Sequence, residues 1–582
     1  MKTFNKKTII SILVLGLVAV LGCKKDEVIN SLTVNPAKIE FQKGGSSTSM
    51  TIQTDADSWV INNTASAWLV LSSNSGKGKT ALITLSVNSK TIKPRIDTLK
   101  ITAGNAKPVY VIVSQPSSEY LYSLASNLSN LTFRQIGNAT NISISTDARL
   151  WNLSCDASWL QISKVTGDSG ATSINITAKE NTAIESRSST ITITAAYAPT
   201  VQISVLQKGL LYPSYNTSPN APDATGMSSN ASLIASKINL GWNIGNTLEA
   251  TGGETAWGNP LITQALIDLV KKNGFNAIRI PCSWNQYMAN NLTAQLKTEW
   301  LNRVKQVIQY CVNDDMYVLL NIHWDGGWLE TNCSVAKQDE NNAKQKAFWE
   351  QIATHLRDFD EHLLFASANE PSVSDATGMS VLNSYHQTFI NAVRSTGGKN
   401  TYRVLVVQGP STDIEKTNKL MTSLPTDHVP NRMMVEVHYY TPFNFCGLDK
   451  DVDWGKMFYY WGKSYHSTTQ TDRNATWGEE GTVDANMKLM KTQFVDKGIP
   501  VILGEFGAVR HSELKGDSLK LHLTSRAYYF KYVVKQAKAN GLLPFFWDAG
   551  GNVSNSSGVF LRSNNTIFDQ QALDSLVQGA AK

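Results

Sequence analysis

Through residues 30–209 apolar and polar positions alternate one by one in short segments, such as Ala81 to Val87, Leu99 to Thr102 and Val109 to Val113, with Ser, Asn, Gly and Lys turns between them. A period of two bounded by turn residues predicts strands. From Ser232 onward the texture changes to continuous apolar runs alternating with stretches of helical period, of which Phe348 to Phe359 is the plainest. Eight of these runs read as strands: Ile238 to Ile244, Ala277 to Pro281, Tyr317 to His323, Leu363 to Ala368, Arg403 to Gln408, Met433 to His438, Pro500 to Glu505 and Leu543 to Trp547. The stretches between them, about 30 to 65 residues each, have room for a crossover helix, and eight such units in one domain is the count of a TIM barrel. A doubly wound open sheet also alternates, but with fewer strands and a glycine-rich first turn, and Gly241-x-x-x-Gly245 is no dinucleotide fingerprint. Residues 210–230, with Pro213, Pro219, Pro222 and many Ser and Asn, read as a linker.

The alternating region is a repeat. Sliding the sequence by 92 positions brings Thr54-Asp55-Ala56 and Trp59 onto Thr146-Asp147-Ala148 and Trp151, Arg95 onto Arg187, Thr98 onto Thr190 and Gln115 onto Gln207. Trp68 pairs with Trp159 after a one-residue gap. Two copies of about 90 residues each predict two immunoglobulin-like β-sandwich domains, over 30–117 and 118–209. The element Ser66 to Leu69, its counterpart Ser158 to Leu160 and the terminal Gln resemble the BACON domains of exported Bacteroidetes carbohydrate enzymes. That resemblance implies either a spacer or a sugar-binding module, and the spacer is favoured because Trp59, Trp68, Trp151 and Trp159 fall where a sandwich needs core aromatics. Gly76-Lys77-Gly78-Lys79-Thr80 lacks the first glycine of a phosphate loop, since position 73 is Ser73, and reads as a hairpin turn.

The chain opens with Lys2, Lys6 and Lys7, an apolar run from Ile9 to Leu21, and Gly22-Cys23. That is the order of an export signal, and its apolar run is shorter than the roughly 20 residues a membrane span needs. Val20-Leu21-Gly22-Cys23 resembles a bacterial lipobox, which implies removal of residues 1–22, acylation of Cys23 and a short tether over 23–29. The expected place is the outer membrane, on the cell-surface or the periplasmic face. Five further cysteines show no CxxC pair or zinc spacing, so free thiols are expected, with neither a disulfide framework nor a metal. With 582 residues, 42% hydrophobic and 17% charged, global disorder is excluded, and a formal charge of +6 without a Lys/Arg cluster argues against nucleic acid as a partner.

On a barrel, chemistry belongs where strands end at their C-terminal side. Strand two ends near Arg279, strand three at His323, strand four at Asn369-Glu370, strand six at His438 and Tyr440, strand seven at Glu505 and strand eight at Trp547. Two carboxylates at one mouth are what glycoside hydrolysis requires: one protonates the leaving oxygen, the other attacks the anomeric carbon or activates water. Either alone is as readily a salt bridge or a helix cap. Beside them Asn369 is suited to a sugar 2-hydroxyl, Arg279 and Tyr440 to holding a carboxylate ionised, and His323 and His438 to donating to hydroxyls or tuning the acid. Neither HExxH nor a Gly-x-Ser-x-Gly elbow occurs.

Gly241 to Glu249, Ile278 to Pro281, Asn321 to Trp324, Ala368 to Pro371, Val437 to Pro442, Leu503 to Gly507 and Phe546 to Asp548 keep motif order across residues 232–582, which resemble glycoside hydrolase family 5, and within it the subfamily 4 endoglucanases. The resemblance implies a retaining endo-β-1,4-glycanase with Glu370 as acid/base and Glu505 as nucleophile. Arg279, His323, Asn369, His438, Tyr440 and Trp547 form its supporting set, with Asn243 and Trp324 as further substrate-binding positions. Two residues depart from the common pattern, Trp324 where a second His is frequent and Ala549 where Asn is. The loop tryptophans Trp257, Trp284, Trp324, Trp328, Trp454, Trp461 and Trp477 are candidates for stacking on pyranose rings, and residues 440–480 for a cleft wall.

The expectation is therefore an α/β protein, a (β/α)8 TIM barrel over 231–582 preceded by two β-sandwiches. It is expected to hydrolyse plant cell-wall β-glucan, cellulose-like or xyloglucan, as a lipid-anchored monomer without a cofactor. A β-mannanase or xylanase on the same scaffold, and a catalytically silent surface glycan-binding lipoprotein, are the alternatives.

Overall fold

The computed structural model describes residues 28–87, 90–551 and 555–581. The expected signal over 1–22, the acylation site Cys23 and most of the tether lie outside them. The chain divides into two compact units, one of the described residues up to 180 with 187–207, the other of 181–186 with 208 onward.

The first unit holds both copies of the repeat. In the first copy one sheet has the strands Leu32–Asn35, Ser46–Thr54, Thr80–Val87 and Val70–Leu71 in that order, and the other has Lys38–Glu40, Val109–Gln115, Arg95–Ala103, Ser58–Asn62 and Ser75–Lys77. Inward residues of both, among them Met50, Leu85, Leu99 and Val111, make a dry core while their neighbours face water, which is the period-two pattern realised. In the second copy the 16-residue strand Ala139–Ser154 replaces two separate strands of the first and breaks register between Thr146 and Leu150. All seven of its strands are therefore hydrogen-bonded into one sheet.

Two devices recur in both copies. Trp59 and Trp151 are buried, and each ring lies against a glycine, Gly76 and Gly167, where an added Cβ would come within 2.4 Å of the indole. Trp68 and Trp159 are only half-buried, and the guanidinium groups of Arg95 and Arg187 lie over them at 5.7 and 4.6 Å. Of the four tryptophans expected in the cores, Trp59 and Trp151 are buried within them, and Trp68 and Trp159 pack against them half-buried beneath arginines.

In the second unit the eight expected strands close a parallel barrel: β1 Gly241–Ile244, β2 Ala277–Ile280, β3 Tyr317–Asn321, β4 Leu363–Ala366, β5 Leu405–Gln408, β6 Met433–Tyr439, β7 Val501–Phe506 and β8 Leu542–Asp548. Almost every residue in them is buried, because helices cover the outside and side chains fill the inside. The helices bury one stripe each; Thr298–Asn313 does so with Trp300, Leu301, Val304, Val307, Ile308 and Cys311, a spacing of three and four. The helix expected around Phe348 runs from Gln338 to His355 and stops before Phe359.

The barrel's interior is apolar below and polar above. A short helix, Ala231–Lys237, capped by the Asn230 side chain accepting from the Leu233 amide at 2.9 Å, buries Ile234. Ile234 and Ile238 join Ala277, Leu364, Val406, Met434, Ile502 and Phe545 in one cluster that seals the N-terminal end. Two residues further along the strands the inward positions become Asn243, Arg279, Glu436 and Trp547, which begin the mouth.

Residues 210–230, expected as a linker, instead form a strap belonging to the barrel unit. The Glu350 carboxylate accepts from the Ser214 hydroxyl at 3.0 Å and the Tyr215 amide at 2.6 Å, Tyr212 and Tyr215 pack on the barrel's core, and Asn220–Pro222 pairs in parallel with Gly397–Gly398. Among the described residues no helix is long and apolar enough to cross a membrane, and the five described cysteines are free, with Cys282, Cys311 and Cys446 buried.

Candidate active site

Arg279 on β2 organises the mouth. Its guanidinium is wholly buried, and Nη1 donates to Asn243 Oδ1 at 3.0 Å and to Glu505 Oε1 at 2.8 Å, while Nη2 donates to Asn369 Oδ1 at 2.7 Å. Nε stands 2.8 Å from Glu436 Oε1 in a second ion pair. A lysine has one nitrogen where this site uses three.

A local irregularity aims the carboxylate of β7. Along the pairing of β6 with β7, Val437 faces Leu503 but His438 faces Glu505, so Gly504 is passed over. Such a bulge turns the next side chain, and Glu505 points into the barrel as a result. Glycine is required there by space: a Cβ at Gly504 would lie 2.0 Å from Glu436 Oε1. Glu505 also accepts from the Tyr440 hydroxyl at 3.0 Å on Oε2. Burial raises its proton affinity, and the charges of His438 and Arg279 oppose that rise.

His438 lies between three carboxylates. Nδ1 is 2.7 Å from Glu370 Oε1 and 3.8 Å from Glu505 Oε2, and Nε2 is 3.2 Å from Glu436 Oε1. Burial lowers its pKa, but Glu505 and the hydrogen bonds to Glu370 and Glu436 prevail and push it up to about 10. At neutral pH the ring is an imidazolium with both nitrogens donating. Ligand-type atoms of Glu370, His438 and Glu505 lie within 4.8 Å of one another, yet a doubly protonated ring has no lone pair to give a metal ion.

Glu370, at the end of β4, is the more open carboxylate: 43% of its side chain is exposed against 7% for Glu505. Burial pushes its pKa up, while the hydrogen bond and charge of His438 pull it below the usual carboxylate range. His323 is half-buried and stacks on Trp547 with centroids 5.8 Å apart and planes 10° from parallel. Burial and the charges of Arg279 and His438 hold it well below its ordinary pKa, hence neutral.

Arg279, His323, Asn369, Glu370, His438, Tyr440, Glu505 and Trp547 thus come together as expected. Asn243 does not reach substrate: it is fully buried, donating to the Gly504 carbonyl at 2.8 Å and accepting from Arg279, so it is a support of the arginine. Arg279 is likewise too deep to touch sugar. Of the loop tryptophans, Trp257, Trp324, Trp454 and Trp477 are about half exposed or more, whereas Trp284, Trp328 and Trp461 are buried packing residues. Phe443 and Trp454 face solvent in the 440–480 wall; Phe445, Phe458, Tyr460 and Trp461 form its base.

Sequence reasoning missed Glu436, Gln408 and Glu330. Glu436 is fully buried, and burial, which pushes its carboxyl up, is outweighed by Arg279 and His438, which leave it below its ordinary value. Gln408 donates to it at 2.6 Å and accepts from the Ala368 amide at 2.8 Å. A signal existed: a carboxylate within the apolar run of β6, two residues before His438 and so on the same inward face.

Comparison with known proteins agrees with this geometry. The family model described as Cellulase (glycosyl hydrolase family 5) matches residues 243–553, and the BACON model matches 149–208. The chain is 35% identical over 444 residues to a xyloglucan-specific endo-beta-1,4-glucanase of Bacteroides ovatus, covering 73% of this chain and 86% of that one. It is 34% identical to Endoglucanase A of Paenibacillus barcinonensis over 63% of this chain and 93% of that one. Among solved structures it resembles the Bacteroides ovatus GH5 xyloglucanase in complex with a XXXG heptasaccharide, with TM-score 0.59 and 32% identity over 79% of this chain and 99% of that one. A xyloglucan-specific beta-1,4-glucanase from a ruminal metagenomic library has TM-score 0.56 and 40% identity over 60% and 96%.

Proposed function

Because the chain belongs to glycosyl hydrolase family 5, we propose that it is a retaining endo-β-1,4-glucanase whose nucleophile is Glu505 and whose acid/base is Glu370. The observation that carries the pairing is their closeness, since an oxygen of each lies within 4.8 Å. Direct attack needs carboxylates about 5 Å apart, whereas an intervening water needs roughly 6.5 Å or more. Glu505 is the attacking group because a fixed arginine and a tyrosine hydroxyl keep its charge in place and its oxygen aimed.

Glu370 supplies the proton. In the free site that proton rests on His438 Nδ1, 2.7 Å from the carboxylate. A sugar ring covering the exposed face of Glu370 removes water from it and raises its proton affinity, and the proton crosses to Glu370 and then to the glycosidic oxygen as the bond to the leaving sugar breaks. Glu505 bonds to the anomeric carbon in that step. In the second, Glu370, now a carboxylate, takes a proton from water, which displaces Glu505.

The preferred polymer is xyloglucan: relatives named for it stand among the most similar, and the exposed Trp257, Trp324, Trp454 and Trp477 give apolar faces for a long chain. Lys2, Lys6, Lys7, the apolar run to Leu21 and the sequence ending in Cys23 support placement on the outer membrane through a lipid on that thiol. The sandwiches act as spacers, with Trp68 and Trp159 covered by arginines. The test is reducing-sugar release from xyloglucan, mixed-linkage β-glucan, mannan and xylan. Xyloglucan should be cut fastest, and a higher rate on mannan or xylan overturns the reading.

A further inference from the structure

Glu330 sits in the loop after β3, buried to 5% exposure, and has no part in the chemistry just described. Its Oε1 accepts from the main-chain amide of Glu370 at 2.9 Å, and its own carbonyl accepts from the Ser372 amide at 2.7 Å. It therefore grips the segment 370–372 at two places. The Asn369 side chain also hydrogen-bonds it, while Asn369 Oδ1 is held by Arg279 at 2.7 Å.

The loop beneath is built to keep this carboxylate still. Asp325 accepts two bonds from the Asn285 amide, at 2.8 and 2.7 Å, and one from Trp328 Nε1 at 3.0 Å, and Thr331 ties its hydroxyl to the Gly327 carbonyl at 2.8 Å. A carboxyl oxygen on a fixed loop is a ready acceptor for the Glu370 amide, and holding the amide fixes where its side chain starts. Among the described residues the Glu370 carboxylate itself has one hydrogen-bond partner, His438 at 2.7 Å. A general acid works only within hydrogen-bond reach of the oxygen it protonates, so a shift of its Cα is felt at once.

We propose that Glu330 is a positioning residue for the acid/base, fixing the Glu370 main chain so that its carboxyl meets the glycosidic oxygen. The proposal rests on Glu370 being the acid, and its effect should scale with how much the leaving group needs a proton.

The experiment uses the full-length protein and aryl β-cellobiosides with leaving groups from 2,4-dinitrophenolate, which needs no proton, to phenolate, which needs one. Glu330→Ala loses the acceptor. Glu330→Asp keeps the carboxyl group but withdraws it by one methylene. Glu330→Gln keeps Oε1 as an acceptor. The first two should lose about tenfold or more in kcat/KM on the phenyl glycoside and under about threefold on the dinitrophenyl one, while Glu330→Gln stays within about threefold of wild type on both. Equal losses on both substrates, or none, overturn the proposal. Should Glu330→Ala not fold, Glu330→Asp decides. Glu370→Ala is run beside them: if its own loss ignores the leaving group, the acid assignment is at fault, and if it depends on the leaving group while Glu330→Asp does not, the positioning role is.

Discussion

Arg279 Nη1 and Glu505 Oε1 meet at 2.8 Å, with the arginine side chain wholly buried and the glutamate nearly so. The same guanidinium engages Glu436 and Asn369. Arg279→Lys should therefore lose activity by about 10²-fold or more and stability by about 3 kcal/mol, because two buried partners lose their donor. Circular dichroism melts and steady-state kinetics measure the two losses, and a variant with near-native values of both would show the arginine to be dispensable.

Glu505→Ala should lose at least about 10⁴-fold on every substrate, a barrier rise above about 5 kcal/mol. Glu370→Ala should keep kcat/KM on a dinitrophenyl glycoside, and added azide should speed its turnover and yield the β-glycosyl azide, since a small anion attacks without a general base. Azide rescue of Glu505→Ala to a β product, or release of inverted sugar by wild type, would exchange or abolish these roles.

Stability should be greatest at mildly acidic pH. Burial raises Glu249 from 4.5 and Asp325 from 3.8, each to about 7, so between those limits the folded state holds protons the unfolded chain has lost, and stability falls as pH rises to about 7. His438 is pushed from 6.5 to about 10, against the pull of its own burial, by Glu505 and its bonds to Glu370 and Glu436, so its contribution is complete below 6.5 and fades as pH rises through 10. Glu361 works the other way: although burial raises its pKa, bonds from Ser229 and Lys237 bring it from 4.5 down to about 2, so its contribution fades as pH falls below 4.5. Denaturant titrations should place the maximum near pH 4.5, where Glu361 is fully ionised and the fall through Glu249 and Asp325 is beginning, and Asp325→Asn should flatten the limb toward neutral pH. A stability rising steadily from pH 5 to 8 contradicts this.

Removing everything before residue 208 should leave turnover of a soluble oligosaccharide within about twofold. Extending the deletion through residue 230 should cost about 3 kcal/mol or more, because Glu350 loses Ser214, Tyr215 and Asn216 as donors and two tyrosines leave the core. Equal melting temperatures for the two deletions would show the strap to be inert.

Cys23→Ser should release the protein from membranes, and labelled palmitate should enter the wild type alone. A variant that stays with membranes, beside a wild type that takes up no label, rules out acylation at this thiol.

The barrel was legible because strands buried on both faces are runs of Val, Ile, Leu and Phe, and because a polar residue closing such a run marks the mouth. The same rule hides what lies within a run. Glu436 interrupts Met433–Tyr439 without ending it, and only its spacing from His438 gives it away. The strap was missed for a different reason: its Pro, Ser and Asn composition is that of a linker, and the carboxylate that holds it is 135 positions distant. Trp284 and Trp461 lie in loops like Trp257, yet their ring nitrogens find the Asn321 and Gly478 carbonyls and their faces find the core. Loop membership fixes a residue's place along the chain and leaves its depth open.

The strap also decides where mechanical force goes. A pull on the chain from its N-terminal side arrives first at Ser214, Tyr215 and Asn216, whose bonds converge on one carboxylate of the helix Gln338–His355. Next in line is the short parallel ladder of Asn220–Pro222 on Gly397–Gly398, whose bonds are stretched together as the strand is drawn along its own axis. Both, and then the bonds of Ser229 to Glu361, must yield before the chain leading into β1 is itself drawn out. Were the chain held at that end and a polymer gripped at the other, peeling the strap of residues 210–230 would lengthen the connection and so lower the force before any strand of the barrel was drawn out.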